Sequence, residues 1–107
     1  MSDPNLEKLV LELRRGIIAL AVLGQLYDEQ YGYSLIQLLA DKGLQVEQGT
    51  LYPLLRRLEE QGLLQSDWRI EESRPRRYYV ISPQGRELLP QLKTEWNALV
   101  RAMERML

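Results

Sequence analysis

Residues 48–81 read Gln48-Gly49-Thr50-Leu51-Tyr52-Pro53-Leu54-Leu55-Arg56-Arg57-Leu58-Glu59-Glu60-Gln61-Gly62-Leu63-Leu64-Gln65-Ser66-Asp67-Trp68-Arg69-Ile70-Glu71-Glu72-Ser73-Arg74-Pro75-Arg76-Arg77-Tyr78-Tyr79-Val80-Ile81. In the first part, Leu51, Leu54, Leu55 and Leu58 recur at helical spacing and predict one buried stripe. The opposite face carries Gln48, Tyr52, Pro53, Arg56 and Arg57, and no acid occurs between Gln48 and Leu58, so a phosphate backbone could approach without local repulsion. Pro53 is tolerated in a first helical turn, which puts the expected helix start near Gly49 or Thr50, with Thr50 as candidate N-cap. Gly62 supplies the stop.

Two strand-like runs follow. Leu63 to Ile70 places Leu64, Trp68 and Ile70 on alternating positions, and Arg76 to Ser82 holds the β-favouring Tyr78-Tyr79-Val80-Ile81. Together they predict an antiparallel hairpin. Between them lies Glu71-Glu72-Ser73-Arg74-Pro75, with Arg74, Arg76 and Arg77 crowded on its far side. Guanidiniums this dense repel one another unless an anion lies nearby, and DNA phosphate or an A·T-rich minor groove would suit them.

A chain of 107 residues is one domain's worth. Its 14 Lys+Arg against 15 Asp+Glu give a net charge of −1, which excludes a generic polycation. Distribution matters more: Arg74 to Arg86 holds four arginines and no acid, while Asp28, Glu29, Asp41 and Glu47 cluster elsewhere. With no cysteine and no histidine, disulfides, thiolate ligands and an imidazole base are unavailable, so neither a metal site nor a cofactor is expected. An enzyme would need an acid–base pair from Asp, Glu, Lys and Tyr alone, and no motif joins the acids; the expectation is a non-enzyme. No apolar run has the length of a membrane span and Met1 to Pro4 carries no basic segment leading into an apolar core, so a cytoplasmic location is expected.

Asp3-Pro4 gives an N-cap and a first-turn proline, after which Leu6, Leu9, Leu13, Ile17, Leu20 and Leu23 or Gly24 predict a helix to about Tyr27, weakened at Gly16. Asp28-Glu29-Gln30 reads as a polar turn. Leu35, Ile36, Leu38 and Leu39 predict a second helix over Tyr33 to Lys42, closed by Gly43. Ser82-Pro83 opens the last helix. Along it Leu89, Leu92, Trp96, Leu99, Met103 and Met106 step by threes and fours, the seam of a coiled coil that needs a partner, and Pro90 should kink it.

The run Gly49 to Leu64, with Trp68, Arg74-Pro75-Arg76-Arg77-Tyr78-Tyr79-Val80-Ile81-Ser82 and Gly85-Arg86, resembles the PadR family of bacterial winged-helix transcriptional regulators. Leu20 to Leu26 and Tyr31-Gly32-Tyr33-Ser34-Leu35 are similar to the family's first two helices, so the resemblance covers nearly the whole chain. Ser73 departs from it, standing where many members have a wing glycine. The implied fold is mainly α with a small β-hairpin, a winged helix-turn-helix over about 12–82 plus a C-terminal dimerisation helix over about 83–107, all within one domain spanning 1–107. The implied function is a homodimeric repressor that binds double-stranded DNA at a pseudo-palindromic operator, often relieved by a small aromatic or cationic effector near the dimer interface.

Expected DNA contacts are Gln48, Thr50, Tyr52, Arg56 and Arg57 on the helix and Arg74, Arg76 and Arg77 in the wing. Gln48 and Thr50 would sit near phosphates at the helix N-terminus, and Tyr52 and Arg56 would reach furthest toward the groove. Arg56 either reads guanine bidentately or neutralises a phosphate, the commoner fate; Tyr52 could instead be a half-buried aromatic packed on the wing. One wing arginine could pair with Glu71 or Glu72 in the free protein. Leu89, Leu92, Trp96, Leu99, Met103 and Met106 are the expected dimer interface. Trp96 could stack on a planar ligand, although core packing is the commoner role for such a ring, as it is for Tyr31, Tyr33 and Trp68. The rival reading is a protein-interaction module that uses the same helix and arginines on an acidic partner without DNA.

Overall fold

The computed structural model describes residues 3–107. Four helices and three strands follow in the order α1 (Pro4–Gln25), β1 (Gln30–Tyr31), α2 (Gly32–Asp41), α3 (Gln48–Glu60), β2 (Leu64–Glu71), β3 (Arg74–Ile81) and α4 (Pro83–Met106). The strands form one antiparallel sheet in the order β1-β3-β2. This is a mainly helical, winged-helix architecture.

Helix α1 begins as its sequence dictates: the Asp3 carboxylate accepts the Asn5 amide at 2.8 Å and proline occupies the first turn. It runs unbroken through Gly16 and ends at Gln25, with Leu26 as C-cap, two residues before the expected limit. The core gathers Ile18, Val22, Leu23 and Leu26 from the end of α1 with Leu35 and Leu39 of α2, Val46, the four leucines of α3, and Leu64, Tyr79 and Ile81 of the sheet. Leu51, Leu54, Leu55 and Leu58 are all buried, as their spacing predicts. At roughly 1.5–3 kcal/mol for each such side chain, this burial holds α3 in place despite Gly49 and Pro53.

The start of α3 differs from expectation. Glu47 is the N-cap (φ −83°, ψ 153°), and Thr50 lies inside the first turn, where its amide donates to the Glu47 carbonyl at 3.0 Å. Pro53 is therefore the sixth helical residue. The carbonyl it leaves without an amide partner is that of exposed Gly49, where water can take the missing donor's place, so the proline is tolerated one turn deeper than the usual rule allows.

A second difference is β1. The sequence around Gln30 reads as a turn, yet Gln30 pairs with Tyr79 and Tyr31 with Tyr78, adding an edge to the hairpin. The hairpin itself closes more tightly than expected, with Glu71 opposite Arg74 and only Glu72 and Ser73 between them. Both have left-handed backbones (φ 50° and 65°), the geometry of a two-residue primed turn that favours asparagine or glycine, so Ser73 bears the strain that a glycine would avoid. Pro75 lies opposite Ile70, at a position whose missing N–H faces away from β2, where β3 has no neighbour.

Ser82 joins hairpin to α4. Its hydroxyl accepts the Gly85 amide at 3.0 Å and donates to the Gly62 carbonyl at 2.6 Å, and its amide donates to the Leu63 carbonyl at 3.0 Å. A side chain at Gly85 would meet that Leu63 carbonyl at 2.3 Å, so glycine lets the first turn of α4 seat against the strand. Beyond it, α4 continues as one helix through Pro90 to Met106. Leu89 is buried in the core of its own chain and Leu92 packs against that core, so the seam divides: its first two residues cover this domain, while Trp96, Leu99, Met103 and Met106 stay exposed. At the other end of the fold, Leu6, Leu9, Val10 and Leu13 of α1 are exposed on one helical stripe.

Candidate nucleic-acid interface

The solvent side of α3 is flanked by two concave surfaces. Helical geometry turns Gln48, Tyr52 and Glu59 toward the wing, Thr50 and Arg57 toward α1, and leaves Gly49, Pro53, Arg56 and Glu60 between. On the wing side lies a groove of about 720 Å³ lined by Tyr31, Gly32, Tyr33, Tyr52, Arg56, Trp68, Arg74, Pro75, Arg76, Arg77 and Tyr79. Four guanidiniums and five aromatic rings line it, and no carboxylate does. The second concavity, about 570 Å³, gathers Thr50 and Arg57 with Arg15, Gly16, Ile18, Pro53 and Leu54.

Of the expected DNA contacts, the groove unites Tyr52, Arg56, Arg74, Arg76 and Arg77, while Thr50 and Arg57 stand on the opposite flank of α3 and Gln48 is exposed at its first turn. Tyr52 does not reach furthest outward. Its ring lies against the backbone of Gly32 at the start of α2, where an added Cβ would stand 2.3 Å from the ring, and it packs on the core.

The wing arginines are anchored in different ways. Arg77 donates to Glu59 at 2.6 Å and to the Ser66 hydroxyl at 3.0 Å, and its guanidinium lies near the rings of Trp68 and Tyr79. Arg76 caps the Tyr31 ring at 4.5 Å and pairs with Glu71 at 3.5 Å, the pairing expected for one wing arginine. Arg74 and Arg56 are exposed and form no ion pair among the described residues. Both are available to an incoming anion.

On the outer wing face, Arg69 grips Glu29 through both carboxylate oxygens at 2.5 and 2.6 Å while stacking over Tyr78. That contact holds the Glu29 carboxyl below its usual range and raises the Arg69 guanidinium. Tyr78 packs edge-on against Tyr31 and donates to Glu71 at 2.8 Å, a hydrogen bond that, with desolvation, raises its phenol above the ordinary value; burial raises that of Tyr79. Each of these pairs is partly exposed and contributes modestly to holding the hairpin against β1 and the residue before it.

Two groove residues and one at the wing tip lie elsewhere than the sequence pattern predicts. Tyr33 and Trp68, expected as core or interface aromatics, are more than half exposed and face the groove. Ile70, opposite Pro75 near the wing tip, is 81% exposed. A strand alternation that ends in two exposed apolar residues is the signal that the hairpin projects beyond the core. Among the described residues no His, Cys, Asp or Glu cluster is arranged to hold a metal ion, and no helix is long and apolar enough to cross a membrane.

The chain and its fold are similar to those of known transcriptional regulators. Residues 19–91 match the model of the transcriptional regulator PadR-like family. The Mycobacterium tuberculosis transcriptional regulator Rv3488 is 40% identical over 91 residues, 84% of this chain and 85% of the relative. The crystal structure of a PadR family transcriptional regulator from Eggerthella lenta superposes with a TM-score of 0.89 at 44% identity, covering 94% of this chain and 90% of that one. A PadR-like regulator from Bacillus cereus gives a TM-score of 0.77 at 26% identity over 89% and 95% of the two chains.

Proposed function

We propose that this chain, which belongs to the PadR-like family of transcriptional regulators, binds double-stranded DNA in the cytoplasm as a symmetric homodimer and represses transcription from a pseudo-palindromic operator. The observation that carries this reading is the groove between α3 and the wing, lined by four guanidiniums of which Arg56 and Arg74 form no ion pair among the described residues, in a protein whose net charge is −1. A DNA strand between major and minor grooves is the polyanion such a groove fits: α3 enters the major groove, the wing follows the adjacent minor groove, and the backbone runs between. Arg56 and Arg74, without ion pairs, meet phosphate or base edges. Arg76, already stacked on Tyr31, presents its charge with little conformational freedom left to lose. The open amides of Gln48 and Gly49 with Thr50 suit a phosphate at the helix start, and Arg57 a phosphate on the opposite strand.

Two exposed apolar half-stripes support the dimer. Trp96, Leu99, Met103 and Met106 on α4 and Leu6, Leu9, Val10 and Leu13 on α1 expose more apolar side chain than a lone small domain ordinarily leaves uncovered. Packing against a second copy buries both stripes and sets two copies of α3 about one DNA turn apart. Trp96, partly exposed on that face, suits a planar aromatic effector that loosens or re-angles the pair.

The test is fluorescence anisotropy of a duplex from upstream of the protein's own gene against a scrambled duplex. Tighter, salt-sensitive binding of the native duplex supports the reading; equal and weak binding of both, unaffected by Arg56→Ala, contradicts it.

A further inference from the structure

Glu59, Ser66 and Arg77 close a small ring of hydrogen bonds between α3 and the wing. Arg77 Nη2 donates to Glu59 Oε1 at 2.6 Å, Arg77 Nε donates to Ser66 Oγ at 3.0 Å, and Ser66 Oγ donates to Glu59 Oε2 at 2.6 Å. Both carboxylate oxygens are engaged and one edge of the guanidinium fork is spent inside the protein. All three residues are half-buried, Glu59 in the last turns of α3, Ser66 on β2 and Arg77 on β3. The ring therefore spans the three elements that bracket the groove.

We propose that this clasp fixes the angle between α3 and the wing, and that Glu59 and Arg77 are positioning residues for DNA specificity, with Arg77 acting through the clasp and not as a phosphate contact. The inference rests on the DNA-binding reading for its functional half. Its physical basis is that a major-groove helix and a minor-groove wing are two linked contacts. The second contact gains from the first only when the link holds it at the matching spacing. Beyond its base the hairpin leaves the core, with Trp68, Ile70 and Pro75 exposed, so core packing does not hold its outer half. On the outer face the exposed Glu29–Arg69 pair ties β2 to the residue before β1 and leaves α3 untouched. The clasp alone among the described ion pairs joins wing to α3.

Arg76 has a single contact of 3.5 Å with Glu71 and keeps most of its donors for an incoming anion, whereas Arg77 commits both Nε and Nη2 inside the protein. The bidentate hold of Glu59 and Ser66 on Arg77 needs the planar fork, which lysine lacks. Glu59→Gln and Arg77→Lys thus both break the clasp but differ in charge, the first removing one negative charge and freeing Arg77, the second leaving the net charge unchanged.

Two measurements on the full chain decide it. In the free protein, amide hydrogen exchange between Ser66 and Arg77 should quicken about tenfold in both variants, with the α3 and core amides unchanged. On DNA, affinity for a duplex selected by the wild type from a randomised pool should fall about tenfold in both. Affinity for a scrambled duplex should stay level for Arg77→Lys, and should rise for Glu59→Gln with a salt dependence steeper by about one unit. Unchanged wing exchange, or selected and scrambled affinities that move together, would overturn the proposal. Should the wild type bind no duplex at all, the DNA-binding reading fails, while the exchange measurement still decides whether the clasp holds the wing.

Discussion

Replacing Gly32 by alanine tests whether Tyr52 is pinned where the structure puts it. The added Cβ would stand 2.3 Å from Tyr52 Cε1 and 2.8 Å from both Cζ and Oη, far inside ordinary contact distance of about 3.5–4.0 Å. Two escapes exist. The backbone of α2 can shift, an overpacking cost of about 1–3 kcal/mol. Alternatively the Tyr52 ring can swing out, exposing roughly 100 Å² of buried aromatic surface for about 2 kcal/mol. Alanine returns up to about 1 kcal/mol by restricting the unfolded chain. The net expectation is a loss of about 1–2 kcal/mol, a fall in Tm of about 5–10 °C for a domain of this size. Thermal unfolding followed by circular dichroism, at one protein concentration for every variant, measures it. In a Tyr52→Ala background the same substitution should be neutral or slightly stabilising, because the clash is gone. A stabilising Gly32→Ala in the wild-type background would refute the packing of Tyr52 on α2, and with it the shape of the groove wall.

Other outcomes follow from the same geometry. Ser82→Ala removes the α4 cap and leaves the Gly62 carbonyl without its donor, so urea unfolding should show a loss of about 2–3 kcal/mol with an unchanged m-value. Because Arg69 holds the Glu29 carboxyl below its ordinary value of 4.5, the stabilisation from that pair is present above that value and is lost as pH falls through the lower folded one; melts across acid pH should show this slope in the wild type and not in Glu29→Gln. Leu99→Glu with Met103→Glu should convert a dimer to a monomer in sedimentation experiments while leaving the helical signal in place, since both residues lie outside the domain core.

Much of the fold was legible because its signals are local. Four leucines at helical spacing announced α3, Asp3-Pro4 and Ser82-Pro83 announced the starts of α1 and α4, and the β-favouring run before Ser82 announced the hairpin. What failed was non-local or depended on a single offset. Strand β1 is two residues long, too short for alternation, and exists only because Tyr78 and Tyr79 offer it an edge. The proline rule puts the start of α3 one to two residues late, because it takes no account of the exposed Gly49 carbonyl that water can satisfy. The charge inventory of the wing was legible, but its distribution between free and engaged arginines was not: Glu59 lies 18 residues from Arg77, and no spacing rule connects them. Likewise a regular seam on α4 hid the fact that Leu89 belongs to its own core.

The central claim is that the groove between α3 and the wing holds a DNA backbone. It is tested most directly by the slope of log affinity against log salt for a duplex selected by the wild-type protein, measured for the wild type, Arg56→Ala, Arg74→Ala and Arg101→Ala, the last an exposed arginine near the end of α4. The account predicts a slope shallower by about one unit for each of the first two substitutions and unchanged for the third. Equal slopes for all four proteins would contradict it.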